Sequence, residues 1–386
     1  MGEQTLEITC KYTQPVGNAT ALYAGQLGPS ALIATAQSTD LLFPTRHVEA
    51  NVGQSSEARS TSCEALDDLV IRSGEQRYDI YDYLGRNNVV GLLVTKNGKT
   101  VCERYELGVA STTPWMSMSM AKSVSTSLVG AAIKDGYIGD ISDPLSAYIP
   151  KLRSGVYADV PISDLLQMTS GVAWNDVHTD PNSDRRHMLK LQLEQSPGAI
   201  IEYLNSRPRN ARPSEVWNYS TGETHLVGAL VKAATGKWSA DYLSEKFWKP
   251  MQAQQSAKWW LEATDGLEVA GAGLCATLRD YVRFVDFFMT EAEGSALPDG
   301  WVETATAPLV ASEAGRHYGY MWWPVSDEDG RYRDGAFSAR GIFGQYIYAN
   351  PLKNIVIGVI SARAKPRYAE VIPDDDVFRS IVAHLS

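Results

Sequence analysis

The chain has 386 residues, 44% of them hydrophobic and 21% charged, with a formal net charge of −10. That composition belongs to a globular protein with a sizeable core, and the length allows one large or two intertwined domains. The acidic balance, with no basic stripe to offset it, excludes nucleic acid as the main partner. No run of eighteen apolar residues exists, so no membrane span is expected.

Residues 1–60 read as a polar, irregular and peripheral segment. The first residues, MGEQTLEITCKYTQ, have neither a basic nor an apolar leader region; the expectation is a cytoplasmic protein, or an exported one whose leader has been removed. A helix is expected over 62–72, and then a strand over 88–96, a tight Asn97-Gly98 turn and a partner strand over 100–106. The next pattern is helical: Val124, Leu128, Val129, Ala132 and Ile133 recur at helix spacing, and Asp135-Gly136 ends the run. Residues 136–152 read as loop, short helix and proline break, 162–168 as a short helix, and 171–196 as a long loop. Helices are expected at 197–206, 222–235, 239–248 and 277–292, the last with Thr277 as its N-cap. Strands are expected at 317–323, 343–349 and 354–361, and a final helix at 374–385. The order predicts an α+β fold, an α/β sandwich with a mainly antiparallel sheet flanked by helices. The division is an α/β domain from 1–150 and 266–386, with a mostly helical domain inserted at 151–265.

Ser119 and Lys122 stand three residues apart at the mouth of the first strong helix, so both fall on one face. A serine alcohol attacks poorly until a neighbouring base takes its proton, and a lysine serves when its pKa is lowered. Ser-x-x-Lys alone is common on solvated helices. Here Lys122 is the only charged residue between Glu106 and Lys134, among Trp115, Met116, Met118 and Met120. Tyr219, in Trp217-Asn218-Tyr219-Ser220-Thr221-Gly222 before the helix at 222–235, is a candidate second base; without its companions it would read as an ordinary aromatic. The Gly-punctuated run 335–346 reads as a hairpin turn or as a backbone approach to a ligand. Gly271-Ala272-Gly273 reads as a packing turn. There is no G-x-S-x-G elbow, no H-E-x-x-H and no P-loop. The four cysteines, Cys10, Cys63, Cys102 and Cys275, form no zinc pattern and read as free thiols, with a Cys10–Cys63 bridge open if the protein is exported.

Together these motifs resemble the serine β-lactamase and penicillin-binding protein superfamily. Within it they are most similar to the class C β-lactamase-like branch, which also holds esterases, D-stereospecific peptidases and 6-aminohexanoate-dimer hydrolase. Ser119-Met120-Ala121-Lys122 stands in the nucleophile motif. Tyr219-Ser220-Thr221 stands at Tyr-x-Asn, with the third position changed. Gly341-Ile342-Phe343-Gly344 stands on the third-motif strand without the family's Lys-Thr-Gly, where Arg340 is a substitute cation. Gly271-Ala272-Gly273-Leu274 with Thr277, Arg279 and Asp280 matches a structural signature of the branch. The resemblance implies a serine hydrolase of small amides or esters, with catalytic Ser119, Lys122 and Tyr219. It implies an oxyanion hole from the backbone N–H groups of Ser119 and Ile342, and Trp174, Phe343 and Trp322 about the substrate. It implies no metal or organic cofactor and allows a homodimer. β-Lactamase or D,D-peptidase activity is the alternative; a non-catalytic binder of peptide or cell-wall fragments is the other.

Overall fold

The computed structural model describes residues 16–51, 62–312 and 315–386. Its centre is a six-stranded antiparallel sheet. The strand order is Trp323–Pro324, Phe337–Gly341, Gln345–Asn350, Ile355–Ser361, Val89–Lys96, Lys99–Tyr105. Successive side chains of a strand face opposite sides of the sheet, and the two sides carry separate cores. Ile355, Ile357 and Val359 face the C-terminal helix Asp374–Leu385 through Val377, Phe378 and Ile381. Val356 and Ile360 face the opposite way, toward Leu278 and Val282 of the helix Leu278–Thr290. Gly358 allows the close approach on that side, because a Cβ there would stand 2.4 Å from a Val282 methyl. Helices therefore cover both faces, and the fold is the expected α+β sandwich.

A second antiparallel sheet joins Thr45–Val48, Ala257–Trp260, Leu274–Ala276 and Trp115–Met116. It delivers the chain to the nucleophile motif: the Ser117 N–H still donates to the Leu274 carbonyl (2.9 Å) one residue past the strand. The helix Met120–Lys134 that follows is buried on all sides from Met120 to Ala132. A helix without a wet face lies inside the fold. Its small hydroxyl residues dock the surrounding loops, Ser125 Oγ to the Ala270 carbonyl (2.8 Å), Ser123 Oγ to Met321 (2.7 Å) and Thr126 Oγ1 to Tyr320 (2.9 Å). Across it runs the helix Thr221–Thr235, buried from Thr221 to Val231.

Several expectations are corrected. The segment read as helix over 62–72 holds one 3₁₀ turn, Glu64–Leu66, and then a β-ribbon of Ile71–Ser73 with Gln76–Tyr78. The segment read as irregular over 1–60 contains the helices Ala19–Tyr23 and Pro29–Gln37, whose Leu22, Tyr23, Leu32 and Ala36 enter the main core. The long loop over 171–196 includes a helix, Asp184–Leu193, started by the Ser183 side chain accepting from the Arg186 N–H. The strand read over 317–323 is two short pieces, His317–Tyr318 and Trp323–Pro324, and residues 337–341 form a full strand. Within the span 151–265, read as a mostly helical domain, the strand Ala257–Trp260 pairs with strands outside that span.

Cys63 and Cys102 form a disulfide and Cys275 is a buried free thiol, which replaces the reading of unpaired cysteines and of a Cys10–Cys63 bridge; Cys10 lies outside the described residues. The bridge closes a loop of sequence separation 39. Loop-closure entropy for that length corresponds to about 4 kcal/mol of unfolded-state constraint. Cys63→Ala/Cys102→Ala is expected to lower the unfolding free energy by about 3–4 kcal/mol in a denaturant titration. Among the described residues no helix is long and apolar enough to cross a membrane.

Candidate active site

Ser119 caps the N-terminus of its helix, and Met118 just before it takes a left-handed backbone, φ 46°. Such a conformation is costly for a side chain this size and turns the chain sharply. Lys122 lies one turn inside, 1% exposed. Its Nζ is 3.0 Å from Ser119 Oγ, 3.1 Å from Thr221 Oγ1 and 2.8 Å from the Gly271 carbonyl. Burial pushes the Lys122 pKa down to about 7; the Asp176 charge opposes that shift, and Arg185 and Arg367 add to it. Burial therefore favours the neutral amine, which stands at hydrogen-bond distance from the Ser119 hydroxyl.

Two of these partners were not predicted. Thr221, the changed third position of Tyr-x-Asn, opens its helix and places its hydroxyl on Lys122. Gly271, read as a packing turn, turns its carbonyl to the amine, held in place by the neighbouring Ala270–Ser125 bond. Asp176 is the third missed residue. It accepts from the Thr221 N–H (3.0 Å), the Thr221 hydroxyl (3.1 Å) and the Trp174 indole N–H (2.7 Å). Burial opposes its charge, but His178, Lys122 and these hydrogen bonds outweigh it, and its carboxyl stays below the usual range. Nothing local in the sequence marks Asp176 apart from its place two residues after Trp174.

Tyr219 stands beside this cluster. The Lys122 Nζ is 5.1 Å from its ring centroid, and the ring stacks on Trp323 at 6.2 Å and 24°. The Tyr219 loop is tied to the Trp174 loop by Asn218 Nδ2 donating to the Trp174 carbonyl (3.2 Å).

The Ser119 turn is met from the other side by the hairpin 341–345. A Cβ on Gly341 would stand 2.5 Å from the Ser117 carbonyl oxygen. Gln345 locks the hairpin. Its side chain accepts from the Trp115 indole (2.9 Å) and donates to the Phe343 (3.1 Å) and Ser361 (2.9 Å) carbonyls. Among the backbone hydrogen bonds of the described residues, neither Ser119 nor Ile342 is a donor. Gly341→Ala is expected to lower kcat by about 100-fold while the protein still folds, because a shift of about 1 Å between hairpin and nucleophile is enough for that loss. A kcat comparison with a melting curve checks it.

Ser119 opens into a cleft of about 660 Å³ that Tyr219, Ile342, Trp323 and Arg367 also line. A second cleft of about 1020 Å³ carries Trp174, Trp217 and Asp176. Tyr219, His178 and the segment Lys365–Tyr368 border both. Trp174 lines the second cleft and not the one into which Ser119 opens. Trp322 and Phe343 line neither cleft, and each is 1% exposed. Trp322 stacks on Phe288 at 4.8 Å in the core, and its neighbour Trp323, on the opposite side of the chain, holds the position facing Tyr219. Phe343 is a hairpin-turn residue whose side chain joins the main core. Arg340 lines the Ser119 cleft, but its guanidinium is bidentate to Asp375 (2.7 and 3.2 Å), so the substitute cation read from the sequence is already paired. Among the described residues no group of three His, Cys, Asp or Glu side chains is placed to hold a metal ion.

A buried amine on a serine at a helix N-terminus, facing the hairpin between the second and third strands of the main sheet, is an arrangement suited to hydrolysis on a β-lactamase fold. The chain belongs to the beta-lactamase family, whose model matches residues 82–377. It is 25% identical over 292 residues to 6-aminohexanoate-dimer hydrolase of Paenarthrobacter ureafaciens, covering 71% of this chain and 72% of that protein. A structure from Bacillus anthracis, provisionally named a 6-aminohexanoate-dimer hydrolase, superposes with TM-score 0.77 at 21% identity, covering 92% of each chain. A D-stereospecific amidohydrolase from Streptomyces sp. shares the fold at TM-score 0.59 and 14% identity, covering 78% of this chain and 98% of that one. The protein is a hydrolase of this family.

Proposed function

We propose that the protein cleaves a small amide or ester through a covalent acyl-enzyme on Ser119. The observation that carries this reading is the Lys122 amine, buried, 3.0 Å from Ser119 Oγ and lowered to about 7. Ser119 Oγ attacks the carbonyl carbon as its proton passes to Lys122 Nζ. The carbonyl oxygen takes the negative charge and accepts from the Ser119 and Ile342 N–H groups. Collapse breaks the bond to the leaving group, which takes a proton by way of Tyr219. Water, deprotonated by the same groups, then attacks the ester carbonyl and releases Ser119 with its proton restored.

A linear amide of the 6-aminohexanoate kind, or a small ester, is the substrate class favoured. The named relative acts on such an amide, and the aromatic walls Trp174, Trp217, Tyr219 and Trp323 suit an extended apolar acyl chain. A β-lactam is disfavoured, because Arg340, at the third-motif strand, is already bound to Asp375. The test is product release from three acyl donors, 6-aminohexanoate dimer, p-nitrophenyl butyrate and benzylpenicillin. The reading expects release from the amide or the ester. A stable penicillin adduct without release from the others would replace it with a penicillin-binding role, and no reaction with any donor would leave a binding protein.

A further inference from the structure

We propose that Asp176 aims the Lys122 base: by accepting the proton of the Thr221 hydroxyl, it leaves Ser119 as the one of the three oxygens on the amine that can donate to its lone pair. This positioning role rests on the acyl-enzyme reading above.

The argument is a count of donors and acceptors. As an ammonium, Lys122 has three N–H groups, and three oxygens surround it: Ser119 Oγ, Thr221 Oγ1 and the Gly271 carbonyl. As the neutral amine it has two N–H groups and one lone pair, so one of the three oxygens must become the donor. The Gly271 carbonyl can only accept. Thr221 has one hydroxyl proton, and its oxygen donates that proton to Asp176 Oδ2, 3.1 Å away. An ionised carboxylate only accepts, so the Thr221 oxygen is left to accept from Lys122. Of the three oxygens on Nζ, Ser119 is then the one able to donate to the lone pair, which is the arrangement proton abstraction requires. With a freely turning Thr221 hydroxyl, a second arrangement would compete in which Thr221 donates to Lys122 and the serine proton has no acceptor.

Asp176 is fixed for this task. Its Oδ1 accepts both the Trp174 indole N–H (2.7 Å) and the Thr221 N–H (3.0 Å), which commits Oδ2 to the hydroxyl. The proton step balances along this chain. The Ser119 O–H bond breaks, its electron pair forms the Oγ–carbon bond, and the proton completes the Lys122 ammonium while Thr221 and Gly271 keep their bonds. The groups acting on the charge of Lys122 are Asp176, which favours the ammonium, and Arg185 and Arg367, which oppose it; the Tyr219 ring lies 5.1 Å away.

Asp176→Asn reverses the hydroxyl. The single amide oxygen is claimed by the indole and backbone N–H groups, so Nδ2 faces Thr221 Oγ1 and donates to it. The Thr221 hydroxyl, its O–H bond intact, then turns to donate to Lys122 and competes for the lone pair. Thr221→Val removes the hydroxyl and gives a second route to the same position. Thr221→Ser keeps it and is the conservative rescue.

The experiment is a stopped-flow measurement of the acylation burst with p-nitrophenyl acetate, run from about pH 5 to about pH 9 on the wild type, the three single variants and Asp176→Asn/Thr221→Val. Asp176→Asn and Thr221→Val are each expected to slow acylation by roughly 10- to 100-fold, a part of the roughly 10²–10⁴ that a general base contributes. The double variant should be no slower than the slower single one, since both changes act on one hydroxyl. Thr221→Ser should recover the rate that Thr221→Val loses. The acid limb of Asp176→Asn should move below its wild-type position, because the charge favouring the ammonium is gone, a shift that loss of packing does not produce. Effects that multiply in the double variant, or single effects within about twofold, overturn the proposal. If Asp176→Asn does not fold, the Thr221→Val and Thr221→Ser pair decides alone: equal rates overturn it. A burst that persists in Ser119→Ala would instead remove the acyl-enzyme reading itself.

Discussion

Ser119→Ala is expected to lower turnover of the best ester or amide substrate by roughly 10⁶-fold, the scale seen when a covalent nucleophile is removed from a serine hydrolase. In the proposed mechanism the covalent intermediate forms on Ser119. Two neighbouring hydroxyls are committed elsewhere: Thr221 donates to Asp176, and Ser123 to the Met321 carbonyl. The substitution removes one oxygen from a site whose other contacts come from the helix, the hairpin and the Gly271 loop. KM is therefore expected to change little while kcat collapses, and steady-state kinetics with a circular dichroism spectrum separates this from unfolding.

The second large effect concerns Lys122. Lys122→Arg is expected to lower kcat by roughly 10²- to 10⁴-fold, the contribution of a general base, because a guanidinium stays protonated at every working pH. The wild-type pH profile gives the complementary sign. Only the neutral amine accepts the serine proton, and burial has brought its pKa to about 7. Activity should therefore be low well below pH 7 and rise with pH through that value. Lys122→Arg should show no such limb. A wild-type acid limb near the ordinary carboxylate range would assign the base to another group. A methionine at this position is the poorer test, because it would leave the Gly271 carbonyl without its donor.

The fold was legible where the pattern is long and local. The hairpin Val89–Lys96 with Lys99–Tyr105, the buried helix Met120–Lys134, the Thr277-capped helix and the C-terminal helix all carry sustained apolar periodicity or a clear cap. Strands such as Trp115–Met116 and Leu274–Ala276 are too short to show a period, and exist because each is paired in the second sheet. Trp322 and Trp323 show a sharper limit. A one-residue choice of register exchanges core for cleft, and no local feature distinguishes two adjacent tryptophans.

The site divides in the same way. Ser119 and Lys122 are one helical turn apart, so local geometry alone brings them together. Thr221, Gly271 and Asp176 reach Lys122 only through the tertiary fold. Thr221 was noticed as a departure from the family pattern, yet a threonine hydroxyl can accept from the lysine where an asparagine would stand. The Gly271 contribution is a carbonyl, which every residue has, and its selection depends on how Ser125 holds Ala270. Asp176 lies in a segment whose acidic residues look alike until one of them is seen bridging Trp174 and Thr221.

The most direct measurement is intact-mass and peptide-mapping mass spectrometry of the protein quenched within its acylation burst on p-nitrophenyl acetate. The expected result is one added acetyl group, located on the peptide containing Ser119, and no such adduct in Ser119→Ala. Turnover without any adduct in the burst, an acetyl group mapped to another residue, or equal labelling of Ser119→Ala would contradict covalent catalysis by Ser119.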